Sequence, residues 1–174
     1  VIAILSMFGL LSIAFRSYFL PILILSALPF GFGGAVVGHI IFGKGLSMIS
    51  YWGIGAACGV VVNDNLVLVD SINRLRGSGK HILECIVESG VTRFRPIIIT
   101  SITTFVGLMP MMLEPSVQAN FLKPAVISLS FGVVLSSSVT LILVPCLYLI
   151  GDDVKESIAQ FKASIKSQIS NKST

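Results

Sequence analysis

Residues 59–70 read Gly59-Val60-Val61-Val62-Asn63-Asp64-Asn65-Leu66-Val67-Leu68-Val69-Asp70, a run that sets one carboxyl and two amides between blocks of branched aliphatic side chains. The apolar character extends from about residue 49 to residue 72, enough for the roughly 20 residues of helix that cross a hydrocarbon core. A carboxyl near the centre of such a helix costs about +2.5 to +3.5 kcal/mol on insertion scales. Asp64 is therefore expected to face a bundle interior or a water-filled path, and is the first candidate for a functional site. Asn63 and Asn65 project about 100° to either side of it, so the three cannot share one narrow face; Asp64 and one asparagine are expected inward. The plainer alternative makes Asp64 an interhelical hydrogen-bond partner that only locks two helices together.

Outward from this run, apolar stretches recur at about 1–15, 20–42, 96–113 and 124–150. With 54% hydrophobic and 11% charged residues, a soluble domain is excluded, because a core of this size leaves large apolar patches that only lipid can cover. The expected fold is an all-α membrane protein, a bundle of about five transmembrane helices over residues 1–150, with a polar cytoplasmic tail over 151–174. Val1 opens inside an apolar run with no charged flank, which does not resemble a natural start or a signal peptide; the chain is expected to be a fragment, its first span truncated.

The lysines and arginines sort by loop. Arg16, Arg74, Arg76, Lys80, Arg93, Arg95 and the tail lysines fall on one side, ten in all, against Lys44 and Lys123 on the other. The positive-inside rule makes the ten cytoplasmic, so the net charge of +4 reads as a topology signal and not as a nucleic-acid surface. Between the third and fourth spans, about 79–89 carries Ile82, Leu83, Ile86 and Val87 at helical spacing against Lys80, Glu84 and Glu88. That pattern predicts an amphipathic interfacial helix lying on the lipid surface, or else an ordinary exposed connector. Ile158, Phe161 and Ile165 form a weaker stripe in a tail polar enough to be disordered in isolation.

Gly34-xxx-Gly38 and Gly55-xxx-Gly59 predict close helix approach, and Pro29, Pro110 and Pro145 predict kinks or helix ends. Pro96 suits a first helical turn, where a missing N–H is harmless. Thr100, Ser101, Thr103 and Thr104 either form a proton wire or satisfy their own carbonyls four residues back. Asp70 and Arg74 suit a solvated pair. His39 and His81 lack metal-ligand spacing, and Cys58, Cys85 and Cys146 lack zinc or disulfide spacing, so neither a metal site nor a cofactor is expected. No Ser-His-Asp order or phosphate loop is present to support an enzyme.

Taken together, Pro29 with Gly33-Gly34-Ala35, the 59–65 run, Arg93-Phe94-Arg95-Pro96-Ile97-Ile98-Ile99-Thr100-Ser101, Gly107-Leu108-Met109-Pro110 and Val144-Pro145 resemble the resistance-nodulation-division (RND) transporters, in their multidrug-efflux-like branch. The resemblance covers about 1–150. It implies the last five spans of a twelve-span inner-membrane permease, multi-pass with its C-terminus cytoplasmic. The activity it implies is secondary transport, with the proton gradient driving export of drugs or toxic compounds. It also implies that the missing N-terminal half supplies a proton-binding aspartate pair and the periplasmic substrate regions, and that a homotrimer works with a periplasmic adaptor and an outer-membrane channel. By this resemblance Asp64 falls where the best-known multidrug members carry a lysine; a carboxylate cannot neutralise other carboxylates, so either Arg93 serves as the cation or Asp64 shares the proton load. Asp64, Asn65, Arg93 and Thr100 are the relay residues so implied, with Asn63, Asp70 and Thr103 as support. A protein- or lipid-exporting relative, or a membrane scaffold that transports nothing, are the alternatives.

Overall fold

The computed structural model describes residues 2–79 and 81–171, without the side chains of 153 and 155–171. The described residues form six helices, α1 (Ile2–Phe15), α2 (Phe19–Leu25), α3 (Leu28–Ile41), α4 (Met48–Gly77), α5 (Ile82–Leu113) and α6 (Val117–Asn171). Four stretches are long and apolar enough to cross a membrane, namely Phe19–Ile41, Met48–Gly77, Ile82–Leu113 and Val117–Asp152, with α1 a shorter apolar helix before them. The expected all-α membrane bundle is the observed fold.

The second span is not one helix. Pro29 has no N–H to give the Leu25 carbonyl, and the chain turns at Ser26 and Ala27 before α3 begins with that proline in its first turn. At its other end α3 closes on Gly43, whose φ of 59° suits glycine. There the Gly43 and Lys44 amides return to the Ile40 and His39 carbonyls, the bonding of a Schellman motif. Ser47 then caps α4, its backbone N–H donating to Ser50 Oγ and its own hydroxyl accepting from the Ser50 N–H, a reciprocal capping box.

α6 is the centre of the bundle and packs on α3, α4 and α5. Small residues permit this. A Cβ on Gly34 or Gly53 would run into the Phe131 or Ala125 carbonyl, and one on Gly38 would lie 2.6 Å from the Phe131 ring. Lipid tails are as apolar as leucine, so such close approach, and the dispersion it gains, holds the helices together where a hydrophobic drive is absent. The Gly34-xxx-Gly38 expectation is met; Gly55 and Gly59 have nothing within 4 Å of a built Cβ. The small-residue seam of α4 is instead Gly53 and Ala57, the latter 3.1 Å from a Cβ on Gly132, because 100° per residue puts positions two apart on different sides of the helix.

A core of Ile24, Leu68, Val69, Ile72, Cys85 and Val144 joins α2, α4, α5 and α6. Side chains such as Trp52 and Ile142, 79% and 71% exposed, point away from the bundle, as lipid-facing positions do.

Three local readings change. The amphipathic 82–89 stretch is the opening of α5 and not a separate interfacial helix, and Ile82 and Ile86 turn into the core while Leu83 and Val87 stay exposed; Lys80 lies outside the described residues. Pro96 lies well inside α5, whose turns on either side carry it, not in a first turn. Pro145 likewise lies within α6 without ending it, whereas α5 stops at Leu113, three residues beyond Pro110. Packing also reaches past residue 150, since Gly151 and Asp152 are buried. The α6 backbone stays helical to Asn171, although the side chains of Ile158, Phe161 and Ile165 lie outside the described residues.

Candidate functional site

The polar centre of α4 divides three ways. Asn65 is 1% exposed and donates from Nδ2 to the Ile24 carbonyl at 3.4 Å, next to the break between α2 and α3. Asp64 is half-buried, and its Oδ2 is buried with no hydrogen-bond partner among the described residues. Asn63 is exposed, on the open side that also carries Gly55 and Gly59. The inward asparagine is therefore Asn65, and its amide is committed to a backbone carbonyl.

Arg93 comes to this level from α5. Cys85 and Ile86 share a core cluster with Leu68, Val69 and Ile72, and α5 runs back against α4 after the short turn at Ser78 and Gly79. Two helical turns farther along, Arg93 stands near the height of Asn65 and Asp64. Its Nε is buried and, like Asp64 Oδ2, has no partner among the described residues. Without a partner among the described residues, each carries a desolvation penalty: a hydrogen-bond donor or a proton would relieve it at the Asp64 carboxyl, and only an acceptor at the Arg93 guanidinium.

The hydroxyls of α5 take the local option. Thr100 Oγ1 donates to the Pro96 carbonyl at 2.9 Å, Ser101 Oγ to Ile97 at 3.0 Å and Thr104 Oγ1 to Thr100 at 2.8 Å. Their protons are used within the helix, while their oxygens keep lone pairs for an incoming donor. Thr100 and Thr103 are exposed. Asp70 pairs with Arg74 at 2.9 Å, four residues on and largely in the open, away from Asp64.

Two further polar sets have no counterpart in the sequence reading. On α6, Ser136 donates to the Ala27 carbonyl at 3.3 Å. Gly53 meets Ala125, Ala57 meets Gly132, Asn73 meets Tyr148 and Arg76 meets Asp152, so α4 and α6 run parallel; that register brings buried Ser137 and Thr140 level with Asp64. The Ser136-Ser137-Ser138 triplet inside an apolar span was the readable signal. At the end of the bundle Arg76 Nη1 pairs with Asp152 Oδ1 at 2.6 Å, and the Tyr148 hydroxyl donates to Asn73. Near the opposite end, buried His39 bridges the Ala35 carbonyl and Ser50 Oγ, each at 2.9 Å, which accounts for a histidine in an apolar span. Among the described residues no three of His, Cys, Asp and Glu are grouped to hold a metal ion.

This arrangement has close parallels. A crystal structure of a heavy metal efflux pump superimposes with a TM-score of 0.73 at 28% identity, over 87% of this chain and 15% of that one. A second crystal form of a heavy metal efflux pump gives 0.76 at 27% identity, over 86% of this chain and 15% of that one. The chain thus spans about 15% of the length of these pumps. A family model described as the AcrB/AcrD/AcrF family matches residues 1–152, which takes in every helix that builds the polar centre, and the chain accordingly belongs to that family of RND efflux transporters.

Proposed function

We propose that this chain is the closing membrane segment of an inner-membrane permease that uses the proton-motive force to export small molecules, with Asp64 as a group that takes up and releases the proton. The observation that carries this reading is the Asp64 Oδ2, buried in the middle of a span with no hydrogen-bond partner among the described residues. Burial favours the neutral carboxyl and an approaching guanidinium favours the ionised one, so a small relative movement of α4 and α5 changes proton affinity. Such a difference between two conformations is what coupling requires, because a proton bound equally in both shifts nothing. Protons enter from the periplasm, neutralise the carboxyl, let the helices shift, and leave to the cytoplasm; Thr100 lends its hydroxyl oxygen on that route. Asn63, on the open side of α4, faces the remainder of the permease. The C-terminus is cytoplasmic, and a trimer acts with a periplasmic adaptor and an outer-membrane channel.

Cargo is the point on which a second reading has support. Two similar solved structures are heavy metal efflux pumps, which favours a metal cation over an organic drug. Deleting the gene and challenging cells with a panel of drugs and of metal salts separates the two. Sensitisation to metals alone assigns metal export, and sensitisation to drugs assigns drug export. Asp64→Asn, expressed at the normal level, is expected to reproduce whichever sensitivity the deletion gives; full resistance with Asp64→Asn would sink the relay role.

A further inference from the structure

The break between α2 and α3 lies inside the bundle, where water cannot satisfy the backbone groups it frees. It is braced from two helices. The Ile24 carbonyl, on a fully buried residue, accepts from Asn65 Nδ2 of α4 at 3.4 Å. The Ala27 carbonyl, equally buried, accepts from Ser136 Oγ of α6 at 3.3 Å and from the Phe30 amide at 3.1 Å. Ser26 Oγ turns back to the Leu23 carbonyl at 2.7 Å and completes the set.

The two braces differ in what they are attached to. Asn65 follows Asp64 on one rigid helix, so any rotation or slide of α4 that accompanies a change of charge at Asp64 acts at once on the bond to Ile24. At 3.4 Å that bond is already long, and a few tenths of an ångström decide whether it exists. Ser136 carries no such neighbour. The titratable groups around Asp64 leave few competing sources of charge. On α4 itself, Cys58 and Asp70 are the nearest. α2 contributes none, α3 only His39, which is held by Ser50 toward the other end, and α6, among its described side chains, contributes Lys123, Cys146, Tyr148 and Asp152, all removed from this level. From α5, Glu84, Cys85, Glu88 and Arg95 accompany Arg93, and of these Arg93 stands nearest the height of Asp64.

We propose that Asn65 is a positioning residue that couples the charge state of Asp64 to the bend between α2 and α3, making that break the first moving part of the transport cycle. The inference rests on the relay reading of Asp64. Backbone exchange around the break reports it through the local opening that loss of the brace permits.

The test is hydrogen exchange by mass spectrometry on the full-length permease in lipid nanodiscs, at one fixed pH, following peptides that cover residues 22–32. Asp64→Asn stands for the permanently neutral carboxyl. Exchange in these peptides is expected to differ about threefold between the parent and Asp64→Asn, the factor one interhelical hydrogen bond contributes in a membrane. Adding Asn65→Leu to each should abolish that difference, and Asn65→Ser, too short to reach Ile24, should do the same if the leucine variant does not fold. Ser136→Ala should raise exchange in both backgrounds and leave the ratio intact. If Asn65→Leu or Asn65→Ser instead behaves like Ser136→Ala, raising both and keeping the ratio, Asn65 is only a brace and the proposal fails. It fails too if Asp64→Asn leaves exchange unchanged while export is lost, an outcome that spares the relay reading; export that survives Asp64→Asn removes the relay reading itself.

Discussion

α4 has two sides that differ more than their composition suggests. On one, Gly53, Ala57, Val61, Asn65, Leu68 and Ile72 are closed against α2, α5 and α6, with backbone so near at Gly53 that no side chain fits. On the other, Gly55, Gly59 and Asn63 carry the same small and polar residue types, and no atom of the described residues lies within 4 Å of where a Cβ would stand on either glycine. Residue type alone therefore does not make an interface; register does. The closed side stabilises this segment, while the open side presents to whatever adjoins it a surface smooth enough for a close-packed helix. Asp64 sits at the boundary of the two sides, which is where a group that senses relative helix movement belongs.

Substitutions on the two sides sharpen this contrast. The largest effect is expected from Gly53→Leu, which drives a side chain into the Ala125 backbone. Overpacking of this kind costs about 1–3 kcal/mol or more, so the purified permease should lose thermal stability in a fluorescence-detected size-exclusion assay. Gly55→Leu, two residues away, meets no described atom and should cost less stability in the same assay, reducing mainly functions that need the adjoining part of the permease. Equal destabilisation by both would erase the distinction between the sides.

At the end of the same seam, Asp152→Ala removes the partner of Arg76. Asp152 is nearly buried but Arg76 is 43% exposed, so solvent still screens the remaining charge and a loss of about 1–2 kcal/mol is expected, below the cost of breaking a fully buried pair. Chemical denaturation in detergent measures it. Ser136→Ala is smaller still, about 0.6 kcal/mol by the average for interhelical hydrogen bonds in membranes. Thr100→Val should have no measurable effect on stability, because the hydroxyl bonds only its own helix at Pro96; any loss of export at unchanged expression would then belong to proton transfer.

How much of this was legible in the sequence depends on distance along the chain. Spans are local, so the apolar runs and the exceptional Asp64 could be read directly, as could the Asp70–Arg74 pair four residues apart. Which asparagine turns inward depends on where α2 breaks, and that bond joins residues 41 apart. The Ser136–Ala27 contact spans 109 residues and exists only once the α3–α6 packing is set. Glycine spacing marked both sides of α4 as candidates and could not rank them, since helical period is blind to neighbours. Pro96 departs from its expected place for a related reason: its preference for a first turn is local, whereas the long helix around it is secured by packing on α6. The hydroxyls of Thr100, Ser101 and Thr104 bond within α5, the local alternative that their spacing already allowed.

The most direct test of proton-driven export through Asp64 is a flux measurement on the full-length permease reconstituted in liposomes. An inward proton gradient is imposed, and internal pH is followed with a trapped dye while cargo identified by the resistance panel is supplied. Cargo-dependent proton movement is expected for the parent and its loss for Asp64→Asn, with the variant folded and inserted to the same extent. Undiminished cargo-dependent proton flux in Asp64→Asn would contradict the role assigned to that carboxyl and return Asp64 to a structural bond between helices.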